Sequence, residues 1–427
     1  MSEEATLDEF VEDESEVDGE FVETAAGQLP VDWDTKNVNE LCALRNGKAT
    51  NHAEIGEQQF LVYGSNGPIG SYSESNFDGG LIFGRVGAVG EVERVQEPAW
   101  VSDNAIQASV TDKCNTDFLY YFLSNKELSS LATKTAQPLL NQSTIGNVTV
   151  PSPPLPEQRK IATVLYTVDR AIEKTEETVE QMHTVQQGLL RSLFGKEKQR
   201  KKPDIETKTE RLGPKQFQIP ITWETTEISS IGKVVTGDTP STDNESNFGG
   251  TLPFVTPATL SQGKYVIESS RTLSEAGRNE AKPIPEGSVM MDCIGSDMGK
   301  VAISGCEVAT NQQINSVVIE DESYLPEFLY YHLQVLSDFI KSQAGQTATP
   351  IVNKSSFESF AIFNPPLEEQ QEIVDTLSIY DEARHSNIEY LTGLKRLKRG
   401  LMQDLLSGTV RTTDTTIEVP DDIAQYG

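Results

Sequence analysis

Two kinds of hydrophobic patterning alternate along the chain. From Leu29 to Ser152, and again from Phe217 to Asn364, short apolar runs are set among Gly, Asn, Ser and Thr. Examples are Phe60-Leu61-Val62-Tyr63, Gly80-Leu81-Ile82-Phe83, Ser288-Val289-Met290-Met291 and Asn315-Ser316-Val317-Val318-Ile319. Runs of this length, bounded by turn residues, read as strands of a small, loop-rich sheet domain. One helix per domain is predicted among them, around Asp117 to Ala132 and Leu325 to Ser342. After each domain the period changes. Ile161, Leu165, Val168, Ile172, Val179, Met182, Leu189 and Leu193 follow alternating steps of four and three, with Thr175 and Gln186 completing the row. That is the seam of a coiled coil. Ile373, Leu377, Tyr380, Leu391, Leu394, Leu401 and Leu405 repeat it, with Arg384, Asn387 and Lys398 interrupting. A helix from Glu157 to Phe194 would be about 57 Å long. So long a stripe needs a partner, and the matching stripe is the nearest candidate. Two such helices are expected to pair antiparallel and hold the two domains apart at opposite ends.

The alternation is a duplication. Leu29-Pro30-Val31-Asp32-Trp33 returns as Ile219-Pro220-Ile221-Thr222-Trp223, and Phe118-Leu119-Tyr120-Tyr121-Phe122-Leu123 as Phe328-Leu329-Tyr330-Tyr331-His332-Leu333. Pro153-Pro154-Leu155-Pro156-Glu157-Gln158 matches Pro365-Pro366-Leu367-Glu368-Glu369-Gln370, and Gly188-Leu189-Leu190 matches Gly400-Leu401-Met402. Four blocks recurring in one order mark two copies of one unit.

Charge changes the picture. The chain has 427 residues, 65 acidic and 35 basic, for a net charge of -30. Residues 1–28 carry eleven acidic and no basic side chains, so about -19 is spread over the rest. A strongly charged surface keeps a protein soluble where salt screens its self-repulsion, so a salt-adapted, halophilic source is expected. No apolar run approaches the ~18 residues of a spanning helix, and MSEEATLDEF lacks the basic-then-apolar order of a signal peptide, so a cytoplasmic location is expected. Cys42, Cys114, Cys293 and Cys306 form no C-x-x-C pair and the four histidines do not cluster with them. That argues against a disulfide framework or structural zinc. Lys196 to Lys202 is a basic island, either a solvated linker or a strap for phosphates.

Two loop-rich domains with a P-x-x-W opening, each followed by P-P-L-x-E-Q and a heptad helix, resemble the specificity subunit of type I restriction-modification systems. Further marks are the G-x-T-P loop at Gly237-Asp238-Thr239-Pro240, with Gly47-Lys48-Ala49-Thr50 as its counterpart. The turn Gln137-Pro138-Leu139-Leu140-Asn141-Gln142-Ser143 likewise matches Thr349-Pro350-Ile351-Val352-Asn353-Lys354-Ser355. The resemblance covers residues 29 to 407 and implies an internally duplicated α+β fold. Its plan is target recognition domain 1 (29–152), spacer helix 1 (153–195), a basic linker (196–216), target recognition domain 2 (217–364) and spacer helix 2 (365–407); the acidic segment 1–28, read as a disordered tail, and a C-terminal tail (408–427) lie outside that pattern. It implies a non-catalytic subunit that reads one half of a bipartite double-stranded DNA site with each domain and docks two methyltransferase subunits as well as restriction subunits. S-adenosylmethionine, ATP and Mg²⁺ are then expected in the partners, with no cofactor or metal in this chain. The alternatives are the recognition subunit of a related type II methyltransferase or nuclease complex, and a structural adaptor built on the helices.

A net negative chain must bind phosphates through a local basic face. Arg45, Lys48, Arg85 and Arg94 in the first domain, and Lys233, Lys264, Arg271, Arg278, Lys282 and Lys300 in the second, are the candidates. Base readers are sought among loop amides, because Asn and Gln pair bidentately with adenine: Asn104, Gln107, Gln137 and Asn141, and Asn311, Gln312, Gln313 and Asn353. Asp238, Thr239 and Ser296 join them from neighbouring loops, whereas Gly87 and Gly90 suit a tight turn. Docking and spacing fall to Glu157, Gln158, Ile161, Leu165, Val168, Ile172, Leu189 and Leu193, and to Glu369, Gln370, Ile373, Leu377, Leu391, Leu394, Leu401 and Leu405. Two catalytic look-alikes are set aside. Asn364-Pro365-Pro366 lacks the aromatic residue of the amino-methyltransferase loop and stands at a helix start, and Asp204, Glu206 and Lys208 crowd into a linker.

Overall fold

The computed structural model describes residues 20–49, 60–134, 136, 138–194, 206–213, 215–344, 350–420 and 423. The chain divides into two compact units, Met1–Glu176 with Glu389–Gly427, and Glu177–Ile388.

In the first unit β1 (Cys42–Asn46), β2 (Gly80–Gly84), β3 (Val92–Val95) and β4 (Ala105–Val110) form an antiparallel sheet in the order β1-β4-β2-β3. Alternate residues of a strand face opposite sides. Leu81, Phe83, Ile106 and Ala108 therefore bury against Phe118, Leu119 and Phe122, while Ile82 and Ala105 pack with Phe77, Ala99 and Val101. Helix α1 (Thr116–Ser124) starts at Asn115, whose side chain accepts the Phe118 N–H. It is shorter than the predicted 117–132. Asn125, Lys126 and Glu127 offer nothing to bury, and a separate turn at Leu128–Leu131 returns Leu128 to the core. Helix α2 (Leu155–Leu193) follows.

In the second unit β5 (Gly232–Thr236), β6 (Tyr265–Val266), β7 (Val289–Asp292), β8 (Val301–Ser304) and β9 (Ile314–Ile319) run in the order β5-β9-β7-β8-β6. Within this sheet only the β6–β8 pair is parallel. Helix α3 (Pro326–Gln343) is twice the length of α1, because Leu333, Leu336, Phe339 and Ile340 keep supplying buried positions. Helix α4 (Leu367–Ser407) closes the repeat.

The heptad pattern locates the packed face of both long helices. All ten seam positions from Ile161 to Leu193 are buried or half-buried, and so are all ten from Ile373 to Leu405. In the first unit Lys398 and Lys395 of α4 pair with Asp169 and Glu176 of α2, each at 2.6 Å. In the second, the Gln186 amide donates to Asp381 and the Asn387 amide lies 3.8 Å from the Met182 sulfur. In both units the residue numbers rise on one helix as they fall on the other, so the contacts are antiparallel. The last turns then enter the unit of the opposite repeat. Leu190 and Phe194 belong to the core of the second unit, and Leu405 and Leu406 to that of the first.

Three expected boundaries shift. Phe21–Thr24 pairs with Gly27–Pro30, so the chain is structured before residue 28. Thr207–Leu212 pairs with Lys215–Pro220, so the expected linker to residue 216 ends in a hairpin. Both hairpins bury apolar side chains, Leu29 in one and Leu212, Phe217 and Ile219 in the other. The sequence boundaries followed charge, which hid that alternation. The C-terminal segment, expected to be a tail, sends Ile423 into the first core. The acidic run at 1–19 and the basic island lie outside the described residues. Among the described residues no helix is long and apolar enough to cross a membrane.

His332 stands where the first repeat has Phe122. It is stacked between Phe194 (5.0 Å, 15°) and Phe363 (4.9 Å, 10°). Its ring nitrogens have no partner among the described residues, and burial pushes its pKa down to about 3 from 6.5. The folded state thus holds it neutral while the unfolded chain takes up a proton below pH 6.5, so stability is lost as pH falls from 6.5 towards 3. Urea unfolding of His332→Phe should show no loss at pH 7 and a gain of about 2 kcal/mol over wild type at pH 5. An equal pH response in both proteins would contradict this account of the site.

Candidate nucleic-acid interface

Each domain is tied to its long helix by the same bond. The Trp33 indole donates to a Glu157 carboxylate oxygen at 3.1 Å, and the Trp223 indole to Glu369 at 2.7 Å. The neighbouring glutamines complete the joint. Gln158 accepts the Asn115 N–H and donates to the Pro153 carbonyl, each at 2.8 Å. Gln370 accepts from Leu325 and donates to Ser323 and Pro365, each at 2.9 Å. The second prolines of both P-P-L motifs accept the first N–H groups of the helices, which supports the helix-start reading of those motifs. Glu157, Gln158 and Gln370 are buried and Glu369 is half-buried. They were expected to meet other subunits; their polar atoms are instead taken up inside the domain. In the first unit Arg411 adds a fork to Glu157 and Asp32, at 2.7 to 3.0 Å, above the Trp33 ring. Its hydrogen bond holds the Asp32 carboxyl below the usual range.

In each unit a set of corresponding loops gathers at one edge of the sheet. In the first unit the end of β1, the end of β2 and the start of β4 lie at one edge. Gly47 N–H donates to the Ala105 carbonyl, Lys48 N–H to Val101, and Arg85 N–H to Asn104. In the second, Gly237 donates to Ile314, Asp238 to Thr310, and Cys293 to Gln313. The bonds correspond one for one at a separation of 209 residues along β4 and β9. Both loops need glycine. A side chain at Gly47 would come within 2.0 Å of the Ser102 carbonyl oxygen, and one at Gly237 within 2.3 Å of that of Asn311.

Several predicted residues converge on these edges. Arg45, Lys48 and Asn104 are exposed at the first, and Arg85 reaches the Asp103 carbonyl at 3.2 Å. At the second, Thr239 donates to the Gln312 side-chain oxygen at 2.5 Å, and Asp238 pairs with Lys282 at 3.3 Å. Ser296 is exposed on the adjoining loop, where Lys300 pairs with Asp297 at 2.6 Å and pulls that carboxyl down. Asn311 and Gln313 bond each other at 2.9 Å behind Gln312.

Others do not converge. Gln107 is a buried residue of β4, paired across the sheet with Arg45 and Ile82, and its positional counterpart is Ser316 rather than a loop amide. Asn141 and Asn353 accept the N–H groups of Thr144 and Ser356 and so cap short helices. Lys233 projects from the opposite end of β5. Arg94 pairs with Asp117, Arg271 lies over Phe248 and Phe254, and Arg278 forks onto Glu307. Lys264 donates to the Tyr331 and Ser378 hydroxyls against α4, and burial lowers its pKa. These basic residues were counted by domain, and only the fold sorts them by face. Gln137 lies outside the described residues.

The family model described as the type I restriction modification DNA specificity domain matches the chain twice, at residues 30–181 and 220–391. The chain belongs to this family. The type I restriction enzyme HindI specificity subunit of Haemophilus influenzae is 32% identical over 203 residues, 45% of this chain and 42% of the relative. The MjaIX specificity subunit of Methanocaldococcus jannaschii is 30% identical over 171 residues, 39% of each chain. The match thus spans about two fifths of the length of these relatives. The putative MjaX specificity subunit of the same archaeon is 23% identical over 311 residues, 70% of this chain and 69% of the relative. In fold the chain resembles the type I restriction-modification S subunit from M. genitalium, with a TM-score of 0.63 at 14% identity over 87% of this chain and 96% of that one.

The cap assignment separates structural amides from exposed ones. Asn141→Ala and Asn353→Ala should each lower unfolding stability by about 1 kcal/mol in denaturant titrations. Full stability in both variants would contradict the cap assignment.

Proposed function

We propose that the chain is the non-catalytic recognition subunit of a type I complex and reads a bipartite double-stranded DNA site, one half with each edge. The observation that carries this reading is the duplicated edge, where corresponding loops present polar groups: exposed Lys48 and Asn104 with half-buried Arg85 in one repeat, exposed Gln312 with half-buried Thr239 in the other. Arg45, Lys48 and Arg85 give the first edge a cationic rim suited to phosphates, while the lysines of the second are paired with Asp238 and Asp297. Gln312 accepts from Thr239 and keeps its amide hydrogens for a base edge.

The helices act as spacer and docking rod, their seams packed as an antiparallel coiled coil. Their outer faces leave apolar side chains open. Val185 and Leu397 stand at equivalent positions of the two repeats and are each 48% exposed; Tyr390 is 59% exposed. Two methyltransferase subunits dock on these two equivalent faces, and restriction subunits join the assembly. S-adenosylmethionine, ATP and Mg²⁺ then serve the partners. The docking residues expected from sequence lie along the seam, which faces inward.

Two experiments test the reading. Binding to duplex libraries randomised in one half at a time should show that Gln312→Ala relaxes one half-site at about 1 to 3 kcal/mol per base contact and spares the other; equal relaxation of both halves contradicts separate readers. Inserting one heptad at the same level of both helices should lengthen the gap by about 10 Å, or three base pairs. An unchanged gap with full binding removes the spacer role.

A further inference from the structure

An apolar heptad seam is a poor ruler by itself. Sliding one helix past the other by seven residues, about 10 Å, places aliphatic side chains over aliphatic side chains again. Something polar must choose between registers, and besides the Lys395–Glu176 pair and the Asn387 amide each unit holds one such group that also reaches its own domain. In the first unit the Asp169 carboxylate accepts the Tyr121 hydroxyl of α1 at 2.9 Å and pairs through its other oxygen with Lys398 of the opposing helix at 2.6 Å. In the second the Asp381 carboxylate accepts the Tyr331 hydroxyl of α3 and, through its other oxygen, the Gln186 amide of the opposing helix. Asp169 corresponds to Asp381, and Gln186 to Lys398, both 212 residues apart. Each carboxylate therefore touches its own domain and the other helix at once.

The two aspartates stand beside the seam and are partly shielded, with side chains 29% and 19% exposed. Gln186 and Lys398 are themselves seam residues, and Gln186 is buried. A slip of one heptad would carry each aspartate away from its partner and leave a half-buried carboxylate and a seam Lys or Gln without a mate. A polar seam residue commonly specifies register at some expense of stability. In the second unit Lys264 also reaches the Tyr331 hydroxyl, at 2.9 Å, and supplies that joint with the cation that Gln186 does not.

We infer that Asp169 and Asp381 are spacing-determining positioning residues: each locks its domain to one register of the helix pair and so fixes the gap between DNA half-sites. This rests on the DNA reading above for its consequence, but not for its geometry. Register can be read without DNA. In the otherwise unchanged full chain, Glu176→Cys with Lys395→Cys replaces a salt-bridged pair at native register, and Glu176→Cys with Met402→Cys replaces a pair one heptad out. With both aspartates present, mild oxidation should close only the first pair. Adding Asp169→Leu and Asp381→Leu should let both close, with thermal stability equal to or above that of wild type. On duplex libraries with variable gaps, the double leucine variant should keep both half-sequences and lose at least tenfold of its discrimination between gap lengths. The inversion Asp169→Lys with Lys398→Asp should restore the first joint and narrow that distribution again. A folded double variant that closes only the native pair and selects one gap would overturn the inference. Loss of folding without the inversion's rescue would do the same, by making the aspartates merely structural. If the wild type shows no two-part preference while the crosslinks behave as stated, the register role stands and the DNA reading fails.

Discussion

Everything at the two presented edges depends on how firmly each domain is held to its helix. That hold begins with one hydrogen bond repeated: an indole N–H on a glutamate in the first turn, Trp33 on Glu157 and Trp223 on Glu369. A carboxylate in the first helical turn meets the positive end of the backbone dipole and the free N–H groups there. The tryptophan adds a large buried ring that makes the contact rigid. In the first unit the fork of Arg411 compensates the buried Glu157 charge; in the second Glu369 is half-buried and Thr222 donates to it at 3.3 Å. Domain and first helical turn are thus joined in each repeat, the condition under which a helical spacer can measure anything.

The acidic surface and the proposed DNA contact are compatible because charge is unevenly placed. At the first edge the exposed Arg45 and Lys48 stand beside loops whose backbone groups are already bonded, so these cations can turn outward, while half-buried Arg85 is held to the Asp103 carbonyl. At the second edge Lys282 and Lys300 are paired with acidic neighbours, so phosphate attraction there is weaker and polar contacts of the Thr239–Gln312 kind carry more of the recognition. The phosphate term scales with the number of cations engaged and falls with salt. The first half-site should therefore supply most of the salt-dependent affinity.

Periodicity made the long helices legible, since burial alone selects which residues recur every three or four positions. The seam residues from Ile161 to Leu193 all lie on the packed face. Motif repetition likewise exposed the duplication and, through it, the family. What sequence could not sort was the direction of polar side chains. Asn141 and Asn104 look alike in a loop, yet one caps a helix and the other stands exposed at a sheet edge. Lys264 and Lys282 are both surface-type cations, yet one is drawn under two hydroxyls beside α4. The Trp–Glu and Tyr–Asp joints had a signal that went unused. Both members of each pair recur in both repeats, and a duplicated polar pair with a fixed partner is the mark of a structural contact.

The most direct measurement of the central claim is selection from a fully random duplex pool by the full chain, followed by sequencing of the bound DNA. The account predicts two unlike half-sequences held at one fixed, unspecified gap. A single contiguous motif, or no preference at a salt concentration where the chain is folded, would contradict it.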